Sequence, residues 1–356
     1  MKLTRSPPAN ALGALPRRAL FQTFAAVLVS RSLPALGAQY TVVSSGSIAE
    51  KEKRLSEVKK LFEKKPEDPY VFGEKAQLEF DIKALEKNRQ YATQLKARVQ
   101  AGQRYLQSVT VPVPDMEKAV SFWTGGCRAL VLSTGIVDGR NVTRVGFGSE
   151  SLNKDDGAKF SLELVETSGV ELGEQSSVVQ YIQLAIPVFR LSQVMAFGGE
   201  IESAYGWTEM TAPGGIPLRV QIDDTRRDPF EFICVRCNNV DKTIKHYEAQ
   251  GMRVQQREGK RKLKAGTENS NSIFERTSAF EPERDKGSVL LGFDDQAMSC
   301  GLLLSPPKAR QKLAVPSVAR LTVVGPTPPD AGLEVSPDGL RSVFVESASF
   351  EASLKA

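Results

Sequence analysis

Apolar and polar residues alternate most clearly from Ser108 onward. In SVTVPVP, Val109, Val111 and Val113 share one side, which predicts a half-buried strand. Pro114 stops it, Asp115 stands where a helix N-cap belongs, and Glu117 and Lys118 follow in the first turn. Val120, Phe122 and Trp123 then form the apolar face of a short helix. Beyond Gly125 and Gly126, the runs RALVLSTGIV, NVTRVGFGS and KFSLELVE read as three further strands, the last ending at Glu166. Strand, helix and three strands in ~60 residues make a module rather than a domain.

The pattern recurs. VGFGSE from Val145 is echoed by LLGFDDQ from Leu290, and FSLELVE by CGLLLSP from Cys300. SVTVPVPDMEKAVSFW is echoed by CVRCNNVDKTIKHYEA from Cys234, so the unit at 108–166 returns at about 234–305. Between them, YIQLAIPVFRLSQVMAFGGEI and GIPLRVQIDDTRRDPFEF repeat strand, helix, strands. VARLTVVG through SPDGLRSVFVE is a fourth unit with almost no room for its helix. Four modules in two pairs is the simplest account.

The segment ahead of the modules has a different period. EKEKRLSEVKKLFEKK predicts a charged helix ending near Pro66 and Pro69. A longer helix is expected from about Gly73 to Tyr105, with Leu78, Ile82, Leu85, Ala92, Leu95 and Val99 on one stripe. This helical hairpin, residues 46–105, packs on its own domain, on a partner subunit or on a membrane surface.

Composition narrows the chemistry. The 356 residues are 41% hydrophobic and 25% charged, with a net charge of +5 from interspersed residues, which does not point to nucleic acid. No stretch is long and apolar enough to span a bilayer. His246 is the sole histidine, which excludes any mechanism that needs two, and its place on the third module's helix reads as surface or half-buried. Cys234 and Cys237 form a CxxC within a strand-like run, where i and i+3 point to opposite faces; buried structural thiols are expected there. Residues 1–45 read as an address: Lys2, Arg5, Arg17 and Arg18 are basic, no acidic residue precedes Glu50, and Arg17-Arg18 leads into ALFQTFAAVLV. This resembles a twin-arginine export signal, bacterial or thylakoid; a mitochondrial or simple plastid presequence is the alternative.

Residues 106–356 resemble the vicinal oxygen chelate superfamily, and in particular two-domain, plant-type glyoxalase I. The resemblance rests on VPDMEKAVSFW, on ELVETSG followed by ELGE, on FGGEI, on DDTRRDPFEF and on SPDGLRSVFVESASFEASL, in that order. It implies an α+β fold of paired βαβββ modules forming two cupped mixed sheets. With consecutive modules paired, the glyoxalase-like domains are expected at 106–231 and 232–356, the second degenerate. It also implies a metal held by one ligand from the first and one from the last strand of each module, with a carboxylate moving a proton.

Carried over by position, those ligand sites are Ser108, Glu163, Tyr181 and Glu231 in the first pair, and Cys234, Leu303, Val318 and Val343 in the second. A nickel or zinc site with nitrogen ligands is excluded. The expected cofactor is none, or a divalent cation held weakly by two carboxylates, two hydroxyls and water. Glu163 and Glu231 either share a proton as a catalytic pair or are each neutralised by an arginine such as Arg219 or Arg226. The functions expected are a binding or assembly module in an organelle lumen, placed in the thylakoid beside a membrane complex, or an active lactoylglutathione lyase that detoxifies methylglyoxal. A small-molecule binder is the third. Mitochondrion, plastid stroma and bacterial periplasm are the other compartments. The helical hairpin and the basic loop at 257–266, REGKRKLKAG, are the surfaces expected to meet a partner.

Overall fold

A computed structural model describes residues 48–64, 66, 69–167, 178–187, 190–204, 208–223, 226–257, 287–294, 298–306, 319–326 and 333–355. The expected address at 1–45, most of the basic loop at 257–266, and Val318 lie outside these residues. The chain divides into two compact units, residues 1–82 and 83–356. The division falls inside a helix, not at the expected end of the helical segment near residue 105.

In the first unit, α1 (Ile48–Lys64) ends before Pro66, and α2 (Pro69–Gln100) begins with a proline at its first helical position, where no N–H is needed. Val58 and Leu78 are buried, and Arg54–Glu74 at 2.8 Å and Lys59–Glu79 at 3.5 Å join the two helices. Both pairs are largely exposed and so contribute little. Among the described residues, no helix is long and apolar enough to cross a membrane.

The second unit carries the modules. The first comprises β1 (Tyr105–Val113), α3 (Met116–Ser121), β2 (Leu130–Val137), β3 (Arg140–Gly146) and β4 (Ser161–Glu166). The Asp115 carboxylate accepts from the Lys118 N–H at 3.0 Å, as an N-cap should. A π-helical turn, Phe122–Gly126, follows α3 and buries Phe122 and Trp123. A side chain at Gly125 would overlap the Phe197 ring, so the glycine lets the second module's helix region approach.

The second module comprises β5 (Val179–Ile186), α4 (Leu191–Ala196), β6 (Glu200–Ala204), β7 (Thr208–Ala212) and β8 (Ile216–Ile222). The third comprises β9 (Phe230–Arg236), α5 (Val240–Ala249), β10 (Arg253–Arg257), β11 (Val289–Gly292) and β12 (Gly301–Ser305). Asn239 caps α5 as Asp115 caps α3, accepting from the Lys242 N–H at 2.9 Å. Among the described residues the fourth has three strands, β13 (Arg320–Gly325), β14 (Leu333–Val335) and β15 (Arg341–Glu346), and runs into α6 (Ser347–Ser353).

Two mixed sheets result, as expected, but they pair modules that are not consecutive. Sheet 1 runs β14-β15-β13-β1-β4-β3-β2, joining the first and fourth modules. Sheet 2 runs β10-β11-β12-β9-β5-β8-β7-β6, joining the second and third. A boundary between Glu231 and Phe232 therefore cuts through β9, whose antiparallel pairing with β5 and parallel pairing with β12 hold it inside sheet 2.

One face of each sheet supplies the main core: Val109, Leu162 and Leu321 from sheet 1, Ile182, Val220 and Ile233 from sheet 2, and Phe122, Val194 and Ile244 from the helical segments. A second cluster gathers Tyr91, Leu95 and Val99 at the end of α2 with Tyr105, Val324 and Phe350, so this part of the predicted helix stripe packs on its own domain. All four cysteines are free and buried. Cys234 and Cys237 belong to different clusters, as their spacing in a strand predicts.

Candidate functional site

The faces of the two sheets turned away from the main core carry the residues singled out above. Residues directly opposite in a ladder share a face, so register defines each surface. On sheet 1, β1 and β4 pair Ser108 with Ser161 and Thr110 with Glu163, while β1 and β13 pair Ser108 with Thr322 and Thr110 with Arg320. These residues form one polar face. The Glu163 carboxylate accepts from Thr110 Oγ1 at 2.8 Å and from Arg320 Nη2 at 2.6 Å. Glu163 is mostly enclosed, its side chain 16% exposed, so this charge-assisted pair is only partly screened. Ser108 Oγ is buried with no hydrogen-bond partner among the described residues.

A second buried carboxylate lies on the same sheet. Glu150 accepts from Ser161 Oγ at 2.5 Å and from Gln107 Nε2 at 3.1 Å, and pairs with Arg144 at 2.7 Å. Arg144 stands opposite Glu163 in the β3–β4 ladder and Arg320 reaches it across β1, so positive groups flank Glu163 from both sides of this face. Sequence reasoning passed over Glu150 and Arg144. The repeated VGFGSE segment was the signal, because it places a carboxylate just after β3.

Sheet 2 is built alike and furnished differently. Tyr181 stands opposite Cys234, and Gln183 is opposite both Phe232 and Arg219. Phe232, Cys234, Leu290 and Leu303 form a buried apolar cluster with Tyr181 against it. The Arg219 guanidinium lies 4.1 Å from the centre of the Tyr181 ring and 3.6 Å from Glu209. Gln183 Nε2 donates to Glu231 Oε2 at 2.7 Å and to Gln221 Oε1 at 3.1 Å.

Ser108 and Glu163 thus share sheet 1, while Tyr181 and Glu231 share sheet 2. Glu231 does not end the second module. That module's last strand is β8, and Glu231 is the bulged residue between Phe230 and Phe232 at the start of β9. The residue of β8 that corresponds to Glu163 is Arg219, since Gln183 faces Arg219 as Thr110 faces Glu163. By the same registers, Arg320 takes the place on β13 that Phe232 takes on β9. Leu303 and Val343 sit opposite Cys234 and Thr322, in the positions expected of them on the last strands. Of the two arginines weighed as neutralising partners, Arg226 pairs with Glu231 at 3.7 Å; Glu163 is served by Arg320 instead.

Within the DDTRRDPFEF segment, Arg227 and Asp228 tie the sheets together. Asp228 is fully enclosed and accepts from the Phe160 N–H at 2.7 Å and from the Phe230 N–H at 3.1 Å. Its burial raises its pKa, against these hydrogen bonds and Arg227. Arg227 stacks 4.7 Å from the Tyr91 ring and donates to the carbonyls of Gly157 and Met298. His246 is half-buried beside Gln250 at 2.8 Å, and desolvation lowers its pKa. Among the described residues, no three His, Cys, Asp or Glu side chains cluster as a metal site would require.

No protein-family model and no curated protein matches the sequence. Solved structures do. Glyoxalase I from Zea mays superposes with a TM-score of 0.54 at 16% identity, covering 72% of this chain and 97% of its own. A single-site mutant of that enzyme gives 0.54 and 16%, covering 73% of this chain and 99% of its own. At such identity the likeness is one of fold. The arrangement of modules and sheets is accordingly that of the glyoxalase I fold.

Proposed function

We propose that this chain uses a glyoxalase-like scaffold as a binding or assembly module and no longer as a metal-dependent lyase. The observation that carries the reading is the Arg320 guanidinium, 2.6 Å from Glu163, the sole carboxylate among the ligand positions defined by register. A divalent ion bound there would have to displace that guanidinium or tolerate its repulsion. The other positions on sheet 1, Ser108, Arg320 and Val343, offer one neutral hydroxyl, one cation and one alkyl group. On sheet 2 the set is Tyr181, Arg219, Phe232 and Leu303, again with a cation where the first module has its glutamate. This donor set does not fit a divalent metal of the kind the fold family implies.

Glu163 and Glu231 lie on different sheets, each with its own arginine, an arrangement suited to orienting groups rather than sharing a proton. The module is assigned to an organelle lumen, the thylakoid first, on the strength of the basic, acid-free N-terminal segment.

The test is metal analysis of the purified protein combined with a hemithioacetal isomerase assay. No stoichiometric metal and no turnover is expected, with Glu163→Gln indistinguishable from the parent. A bound divalent ion, with turnover abolished by Glu163→Gln, would instead establish the active lactoylglutathione lyase. N-terminal sequencing of the mature protein checks the compartment, and a start upstream of Arg17 would overturn the export reading.

A further inference from the structure

A cavity of about 630 Å³ opens where the turn after α2 meets the turn between α5 and β10. It is separate from the polar faces of the two sheets described above. Three guanidiniums, Arg98, Arg104 and Arg253, line it together with one carboxylate, Asp294. Asp294 is already committed: Arg98 grips it with two nitrogens at 2.7 and 2.6 Å, and Tyr91 donates its hydroxyl at 2.8 Å. That pair cancels, leaving the charges of Arg104 and Arg253.

Arg104 is fixed in place. Its Nη1 donates to the Gln250 carbonyl at 3.0 Å, and its guanidinium packs 4.9 Å from the Phe344 ring. Neither neighbour carries negative charge, so the cation is oriented without being neutralised. Arg253 is exposed on β10 and forms no ion pair with any described residue. Phe293 gives the cavity one apolar wall, its carbonyl held by Gln103 Nε2 at 3.1 Å. Two guanidiniums that no described residue neutralises, set in a concave site, match an anion of two charges, and a planar fork suits phosphate oxygens. The volume leaves room for a carbon body beside Phe293.

We infer that this cavity, framed by Arg104, Arg253 and Phe293, binds a phosphate monoester with an apolar body. The phosphate could belong to a soluble metabolite or to a lipid headgroup, and one experiment separates them. The full chain is titrated calorimetrically with phenyl phosphate, inorganic phosphate and benzoate, and its sedimentation with phosphatidic acid vesicles is compared with that on phosphatidylcholine vesicles. Phenyl phosphate is expected to bind one per chain, more tightly than inorganic phosphate or benzoate. Arg253→Gln should weaken it by about tenfold, the loss of one charge-assisted contact. Arg140→Gln, at the exposed start of β3, should leave it unchanged. Capture on phosphatidic acid vesicles that Arg253→Gln abolishes assigns the lipid source; its absence, with phenyl phosphate still bound, assigns the metabolite. The inference is overturned if a folded parent protein binds neither, or if Arg253→Gln binds as the parent does. Benzoate binding as tightly as phenyl phosphate would overturn the choice of phosphate. Arg104→Gln is a second variant. It also holds structure, so its folding is checked first and Arg253 decides if it fails.

Discussion

Asp228 illustrates how a single residue decides whether two layers hold together. Its oxygens satisfy the N–H groups of Phe160, before β4, and Phe230, at the start of β9. Asp228→Ala would leave both N–H groups buried without acceptors, at a cost of about 2–5 kcal/mol. Urea denaturation should register that loss, with Asp228→Asn recovering part of it. The thiols give a second expectation. Burial pushes Cys127 up to about 12, so it remains a thiol at any working pH. All four cysteines are buried, and a thiol reagent such as DTNB should label none quickly in the native protein and all four in denaturant. Because an unfolded thiol ionises near 9.0, stability is intact below that pH and declines as pH rises toward 12. Rapid native labelling would contradict the buried placement. The alternation around Cys234 and Cys237 made their opposite orientations legible. Nothing near Glu163 in sequence announced Arg320, because the two are 157 residues apart and meet only across β1.

At the scale of elements, local signals were dependable where the element ends on a cap. Asp115 and Asn239 each bond the N–H three residues on, and each begins a helix packed on its own sheet. Asn239→Ala should cost about 1 kcal/mol, while Asn239→Ser should cost much less. Thermal melts of the two variants check this, and equal losses would assign the effect to something other than capping. The Asp115 cap works as a carboxylate, its pKa lowered first by the Lys118 N–H; its contribution is present above the ordinary value of 3.8 and fades as pH falls below it. Strand boundaries were harder. The run from Ile216 to Arg236 holds two strands, β8 and β9, and alternation alone could not say which module owned Glu231. Only pairing with β5, with the bulge at Glu231 facing Gln183 and Leu184, makes it the opening of the third.

The whole molecule is held by pairings between modules distant in sequence. β1 lies between β4 of its own module and β13 of the last, and β5 lies between β8 and β9. A fragment ending at Glu231 would strip β1 of β13 and β5 of β9, exposing Val109, Ile182 and neighbouring core residues. Such a fragment should not unfold cooperatively, whereas the intact chain should. A sharp melting transition from the fragment alone would restore the consecutive pairing of modules. The same topology bears on function, since register across β1 and β13 sets Arg320 against Glu163, and register across β5 and β8 sets Arg219 against Gln183.

Sequence by itself determined the module count, the strand–helix order within each, both caps and the apolar faces, because these depend on periodicities and contacts a few residues long. It also limited the metal chemistry, by holding a single histidine. Tertiary structure decided which modules share a sheet, which residues confront Glu163, and where arginines gather around a cavity. Those outcomes follow from hydrogen-bond register between strands far apart in the chain, and a one-residue change of register would turn each strand's other face to the same neighbours.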